Sequence, residues 1–140
     1  MTINKDKQFE CSIICQDDIA LDVGKFVIVH AGKYCAIEGL DFCRVTAGNE
    51  AYIVLNNYGV VNAGHYSYVV GGDNCYLAAG DDSQLWGGVG SKLSGGDGSE
   101  LWFSWWSGFE FATVLAVVDN SSYISGEKYK LVNGCVVSDE

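Results

Sequence analysis

The groups with chemical reach in this 140-residue chain are its carboxylates, its six cysteines and its two histidines. Between Val45 and Glu127 stand nine acids, among them Glu50, Asp73, Asp81, Asp82, Asp97 and Glu100, against the single base Lys92. Carboxylates in such excess can pair with a basic surface, hold a hard cation through oxygen, or, as a close pair, transfer protons. The last use is poorly served, because adjacent Asp81 and Asp82 leave an extended backbone on opposite sides. The cysteines, at 11, 15, 35, 43, 75 and 135, contain no CxxC pair, and Cys11 and Cys15 with His30 make a poor zinc set. No GxxxxGK phosphate cradle is present.

What positions these groups is an eight-residue unit, written twelve times without a gap from Lys7 to Trp102. Cut from Lys7, its blocks include AGKYCAIE (31–38), AGHYSYVV (63–70) and GGDNCYLA (71–78). The seventh place is always a branched aliphatic residue, from Ile13 to Leu101. The fifth is mostly compact, as in Cys35, Ala51, Ser67 and Ser99. Places five and seven alternate with six and eight, the period-two pattern of a strand with one buried face. Gly, Asn and Asp in places one to four tolerate the left-handed backbone that tight corners require. Four residues cannot bury an apolar face alone, so blocks must stack, and two of them make a coil with two flat faces. The reading is an all-β fold, a short β-solenoid of six coils, roughly 29 Å long at about 4.8 Å per stacked strand.

Residues 1–6 are expected to form a lead-in, 7–102 the solenoid and 103–140 a C-terminal antiparallel β cap. Asn133-Gly134, between 127–132 and 135–138, is the preferred pair for a two-residue hairpin turn. The cap is expected to cover the last coil and its unpaired strand edges. Four cysteines, at 11, 35, 43 and 75, fall on the inward fifth place, where Ala, Gly and Ser replace them, so they read as small buried thiols. Cys11, Cys43 and Cys75 share a column two coils apart, about 9.6 Å, too far for a disulfide.

The blocks AGDDSQLW (79–86), GGVGSKLS (87–94) and GGDGSELW (95–102) resemble the octapeptide repeats of bacterial ice-nucleation proteins. WWSGFEF (105–111) and GEKYKLVNGCVV (126–137) are similar to the C-terminal region of those proteins and of related small phage and bacterial proteins. The resemblance covers residues 63–137 closely and the preceding blocks loosely. It implies a solenoid of sixteen-residue coils and dimerisation through a tyrosine ladder at a corner. It also implies ice binding by threonine rows at places six and eight, but here only Thr46 occupies such a place.

Placing alternate blocks on alternate faces sorts the outward residues. One face is mixed. The other carries Tyr52, Val54, Tyr68, Val70, Trp86 and Trp102 as a continuous apolar strip, which calls for a cover: the C-terminal strands with Phe109, Phe111 and Trp105 or Trp106, a second subunit, or a partner. Phe26, Phe42 and Tyr58 line one corner and form a second candidate dimer surface.

The formal net charge of −10 argues against direct binding of nucleic acid and favours a basic partner. The leading expectation is a non-enzymatic, acidic interaction module that inhibits or decoys a nucleic-acid-binding protein or defence complex, as small phage proteins do. Its acidic surface comprises Glu50, Asp73, Asp81, Asp82, Asp97 and Glu100, and a homodimer is expected. Ice or regular-surface binding and a structural or calcium-binding solenoid are the alternatives, the latter because GGVG and GGDG superficially resemble the calcium-binding GGxGxD repeat. No enzyme, cofactor or metal is called for: His30 and His65 fall at different places of the repeat, and the serines sit where the repeat sets them. With no apolar run of membrane length and no apolar N-terminal segment, the cytoplasm is expected, a host's if the chain is phage-encoded.

Overall fold

The computed structural model describes residues 2–3, 11–106 and 111–139. The chain opens with β1 (Thr2–Ile3), β2 (Cys11–Ile14), β3 (Ala20–Val23) and β4 (Val27–His30). It continues through β5 (Ala36–Glu38), β6 (Arg44–Thr46), β7 (Tyr52–Val54) and β8 (Val60–Asn62). Next come β9 (Tyr68–Val70), β10 (Tyr76–Ala78), β11 (Gln84–Gly87) and β12 (Lys92–Ser94). The last four are β13 (Glu100–Trp106), β14 (Phe111–Val117), β15 (Tyr129–Val132) and β16 (Cys135–Ser138).

Two sheets result. Sheet I runs β1-β3-β5-β7-β9-β11-β13-β14 and sheet II runs β16-β15-β12-β10-β8-β6-β4-β2. From β2 to β13 every pairing is parallel and joins residues sixteen apart, as in Ile37 to Ile53 and Ile53 to Val69. The molecule is therefore a β-solenoid of six coils. The seventh-place side chains fill its interior, with Leu77, Leu85, Leu93 and Leu101 fully buried, while places six and eight face outward.

From Val27 onward the fifth place is buried as well, and its compactness has a second cause. Ser83 Oγ accepts the N–H of Ser67 at 3.1 Å, and Ser99 Oγ accepts that of Ser83 at 3.1 Å. Ser91 Oγ serves Cys75 in the same way at 3.0 Å, and Cys75 Sγ serves Gly59 at 3.3 Å. Each hydroxyl or thiol then donates to a carbonyl of the coil before, as Ser99 does to Gly80 and Cys43 to Gly24, both at 3.0 Å. Corner N–H groups that no strand can serve are thereby satisfied inside the core. Burial pushes the Cys43 and Cys75 thiols up from their usual range.

The corners differ from expectation. The left-handed residue is the fourth of each block, in eleven successive blocks from Asp18 (φ 61°) to Gly98 (φ 76°), and five of these are aromatic: Phe26, Tyr34, Phe42, Tyr58 and Tyr66. The glycine of the second place is demanded by space instead. A Cβ on Gly64 would overlap Asn49 Oδ1, and one on Gly96 would overlap Asp81 Oδ1.

At the C-terminus β14 pairs antiparallel with β13, setting Trp102 against Leu115, and β15 pairs antiparallel with β12, setting Leu93 against Tyr129. Gly98 N–H donates to Val118 O and Val118 N–H to Ser99 O, each at 2.9 Å, so two residues face one at a β-bulge built on the left-handed glycine. The expected hairpin is present, with Asn133 and Gly134 at φ 50° and 79° between β15 and β16. Both last coil strands thus gain partners. At the other end β1 pairs in parallel with β3, so residues 2–3 start sheet I, while the first half of the opening block lies outside the described residues.

Candidate functional site: two edges and two faces

The third place of each block ties the edges together. On the edge leading into sheet I, Asn49 Oδ1 accepts the N–H of His65 (2.9 Å), His65 Nδ1 that of Asp81 (2.8 Å), and Asp81 Oδ1 that of Asp97 (2.9 Å). Asn120 Nδ2 closes the series on Asp97 Oδ1 at 2.8 Å. On the opposite edge the series is Asp41, Asn57, Asp73 and the N–H of Val89, at 3.0, 2.8 and 2.9 Å. Stacked Asp81 and Asp97 are thereby separated by a bond to backbone. The Asp or Asn recurring at that place was the readable signal.

These ladders sort the six acids proposed from sequence. Glu50, Asp81, Asp82 and Asp97 share the edge leading into sheet I. Asp73 stands on the opposite edge, and Glu100 projects from the sheet I face next to the first edge, so the six do not form one surface. Asp81 and Asp82 do not flank an extended backbone, since Asp82 is left-handed at φ 52°. Asp73 and Asp81 each commit one oxygen to a main-chain N–H, and Asp97 commits one to the Asn120 side-chain amide. Among the described residues no three His, Cys, Asp or Glu side chains converge to hold a metal ion.

The fourth place on that edge reads Asp18, Tyr34, Glu50, Tyr66 and Asp82, acid alternating with tyrosine, and all five are exposed. Main-chain bonds hold the row in step, from Asp18 N–H to Lys33 O (2.9 Å) to Tyr66 N–H to Asp81 O (2.9 Å). The Glu50 carboxylate raises the Tyr34 phenol above its usual range. Sequence reading passed over Tyr34 and Tyr66, although their alternation with the acids was visible at sixteen-residue spacing. On the opposite edge Phe26, Phe42 and Tyr58 stack with centroids 5.0 and 4.8 Å apart and planes within 2°.

The apolar strip lies on the outward face of sheet I in the expected register: Tyr52 stacks on Tyr68 (5.3 Å) and Trp86 on Trp102 (4.5 Å), with Val54 and Val70 continuing the Trp row. Of the three covers left open by the sequence, that by the C-terminal strands is corrected among the described residues. β14 lies beside β13 in the same sheet, so Leu115 and Val117 extend the strip. Phe109 and the Trp106 side chain lie outside the described residues, and Trp105 sits near Gly134 in the hairpin turn. A shallow groove of about 270 Å³ crosses the strip between Tyr68, Val70, Trp86 and Ser104. Among the described residues Trp86 Nε1 is buried without a hydrogen-bond partner, whereas Trp102 Nε1 donates to Glu100 Oε1 at 3.3 Å. Towards the first coils the face turns acidic: Asp22 and Glu38 are neighbours in the Trp row, and the bond between them raises the Glu38 carboxyl.

The outward face of sheet II, mixed by sequence, carries a concentration of bases. Arg44 and Lys92 lie in one row, and Lys130 joins it because β15 pairs with β12. Lys92 and Lys130 hold Asp139 at 3.1 and 3.3 Å, and the Lys92 and Lys128 ammonium groups stand 5.2 and 4.7 Å from the Tyr76 ring centroid. Two of these lysines come from the cap, so the repeat alone could not show the cluster. Among the described residues no helix is long and apolar enough to cross a membrane. No protein-family model, curated protein or solved structure matches the chain, and the edges and faces are read from its own residues.

Proposed function

We propose that this protein is a non-enzymatic interaction module whose acidic edge takes a basic surface of a protein partner. The observation that carries the reading is the row Asp18, Tyr34, Glu50, Tyr66, Asp82, in which one backbone conformation and one hydrogen-bond ladder hold every side chain at the same pitch. Carboxylates recur on alternate coils, about 9.6 Å apart, with a tyrosine between. Arginine suits such a row, since its guanidinium pairs with a carboxylate and lies against an aromatic ring. Asp81 and Asp97, through their second oxygens, and Glu100 add charge beside it. A partner whose basic groove ordinarily holds nucleic acid would be occupied by this edge, which makes the module an inhibitor or decoy.

The test is anisotropy of a fluorescein-labelled nona-arginine peptide titrated with the protein, with Asp18→Asn/Glu50→Gln/Asp82→Asn as the comparison. Binding that weakens steeply with salt, and at least about tenfold in the triple variant, supports the reading. Equal affinity for the two proteins would remove the edge from consideration.

A further inference from the structure

The two outward faces carry opposite charge. Among the described residues the sheet I face has Asp22, Glu38 and Glu100 and no base, whereas the sheet II face has Arg44, Lys92 and Lys130 with Asp139 as its acid. Along the solenoid axis each face is also apolar between its charged ends: Tyr52 to Trp86 on one, Val60 and Tyr76 on the other. We infer that the partner of the aromatic strip is a second copy of this chain, docked through its sheet II face.

The register follows from the coil. Place eight of sheet I and place six of sheet II flank the same edge, so a copy translated along the sheet normal sets these two rows opposite each other. Residues six apart lie on either side of one corner, so a shift of about half a coil along the axis, about 2.4 Å, then matches them. Glu38 meets Arg44 of the neighbouring copy. Val54 and Val70 meet Val60 and Tyr76. Trp86 and Trp102 meet Lys92 and Lys130, ammonium against indole.

A two-fold pairing of sheet I faces with axes parallel gathers Asp22 and Glu38 of both copies at one end of the interface with no base to meet them, and like charges across an interface are costly. The inferred contact uses different patches on its two sides, so it does not close at two subunits. It continues as a chain of copies. This goes beyond the acidic edge, which stays open along the side of such a chain.

The experiment is sedimentation velocity over a range of concentrations on wild type, Arg44→Glu, Glu38→Lys and the charge-swapped double variant, with circular dichroism melts to establish folding. Wild-type mass should rise past two subunits without a plateau. Each single variant should need at least about tenfold more protein to reach the same mass. The double variant should recover.

A second measurement uses Trp86→Glu, dead on one face, and Arg44→Glu/Lys92→Glu, dead on the other. Each alone should be monomeric, and their equimolar mixture should stop at a heterodimer. A wild type that stays monomeric, or stops at two subunits, overturns the inference. So does a mixture that stays monomeric or a double variant that fails to recover. Neither variant set alters Asp18, Glu50 or Asp82, so loss of self-association and loss of arginine-peptide binding are scored separately.

Discussion

His65 Nδ1 accepts the main-chain N–H of Asp81 at 2.8 Å, in the position that an Asn or Asp oxygen holds in the coils on either side. The acceptor, rather than the imidazole, is what the ladder needs. His65→Asn should therefore leave stability within about 0.5 kcal/mol of wild type, and His65→Leu should cost about 1 kcal/mol by leaving that N–H without its partner. Urea melts of the two variants check this.

Gly64 and Gly48 occupy the same place on successive coils, but their neighbours differ. A methyl group on Gly64 runs into Asn49 Oδ1 and its backbone nitrogen, whereas one on Gly48 meets the flexible Lys33 side chain at 3.1 Å and main-chain atoms of Gly32 and Lys33 at 3.2 Å. Gly64→Ala is expected to destabilise by about 1–3 kcal/mol more than Gly48→Ala. Thermal melts of the pair decide whether the second-place glycine is set by contact, as argued, or by backbone freedom, which would make them equal.

Tyr66 is left-handed (φ 58°) and well exposed, so it carries a conformational cost with little packing in return. Tyr66→Asn should gain up to about 1 kcal/mol. Phe42 has the same backbone (φ 60°) but stacks on both Phe26 and Tyr58, and Phe42→Asn should show no gain. The comparison is read in denaturation midpoints.

Ser83 is buried, accepts from Ser67 and donates to Gly64 O at 3.4 Å. Ser83→Ala strands a buried N–H and should cost about 1–3 kcal/mol. Ser83→Cys should be tolerated better, because Cys75 fills the equivalent position one block earlier. Amide exchange at Ser67 should quicken in the first variant and change little in the second.

A hydrogen bond shared with Asp22, together with the charge of that carboxylate, raises the Glu38 carboxyl above its usual range in the folded state. Stability from that bond is present while Glu38 is protonated and is lost as pH rises through the raised value, leaving two charges side by side at neutrality. Glu38→Gln keeps a donor without the charge. In dilute protein it should melt higher than wild type at pH 7, with the difference vanishing at pH values below the carboxylate range.

Much of the fold was legible because the repeat dictates it. Ile37 above Ile53 above Val69 follows from counting sixteens, and so do the strip, the Phe26 row and the Asn133-Gly134 hairpin. What counting could not show was why a place prefers its residue. Serine and cysteine at place five read as small until their hydroxyl and thiol bonds to the adjacent coil were seen. The second-place glycines read as conformational when their role is clearance. The acidic set looked like one surface although Asp73 and Asp81, eight residues apart in adjacent blocks, had to turn opposite edges. The cap was least legible: no periodicity ties β14 to β13 or Lys130 to Lys92, so neither the extension of the strip by β14 nor the completion of the basic row by Lys130 was visible before folding.

The sixteen-step ladder makes length a quantised property of this molecule. Each corner bond reaches only the coil above or below, so loss or duplication of one whole coil leaves every remaining donor with an acceptor of the same kind. A change of eight residues would instead carry Trp86 and Trp102 onto the face of Lys92 and exchange the acidic edge for the aromatic one. Descendants of this chain can grow or shrink by whole storeys while their walls keep their character.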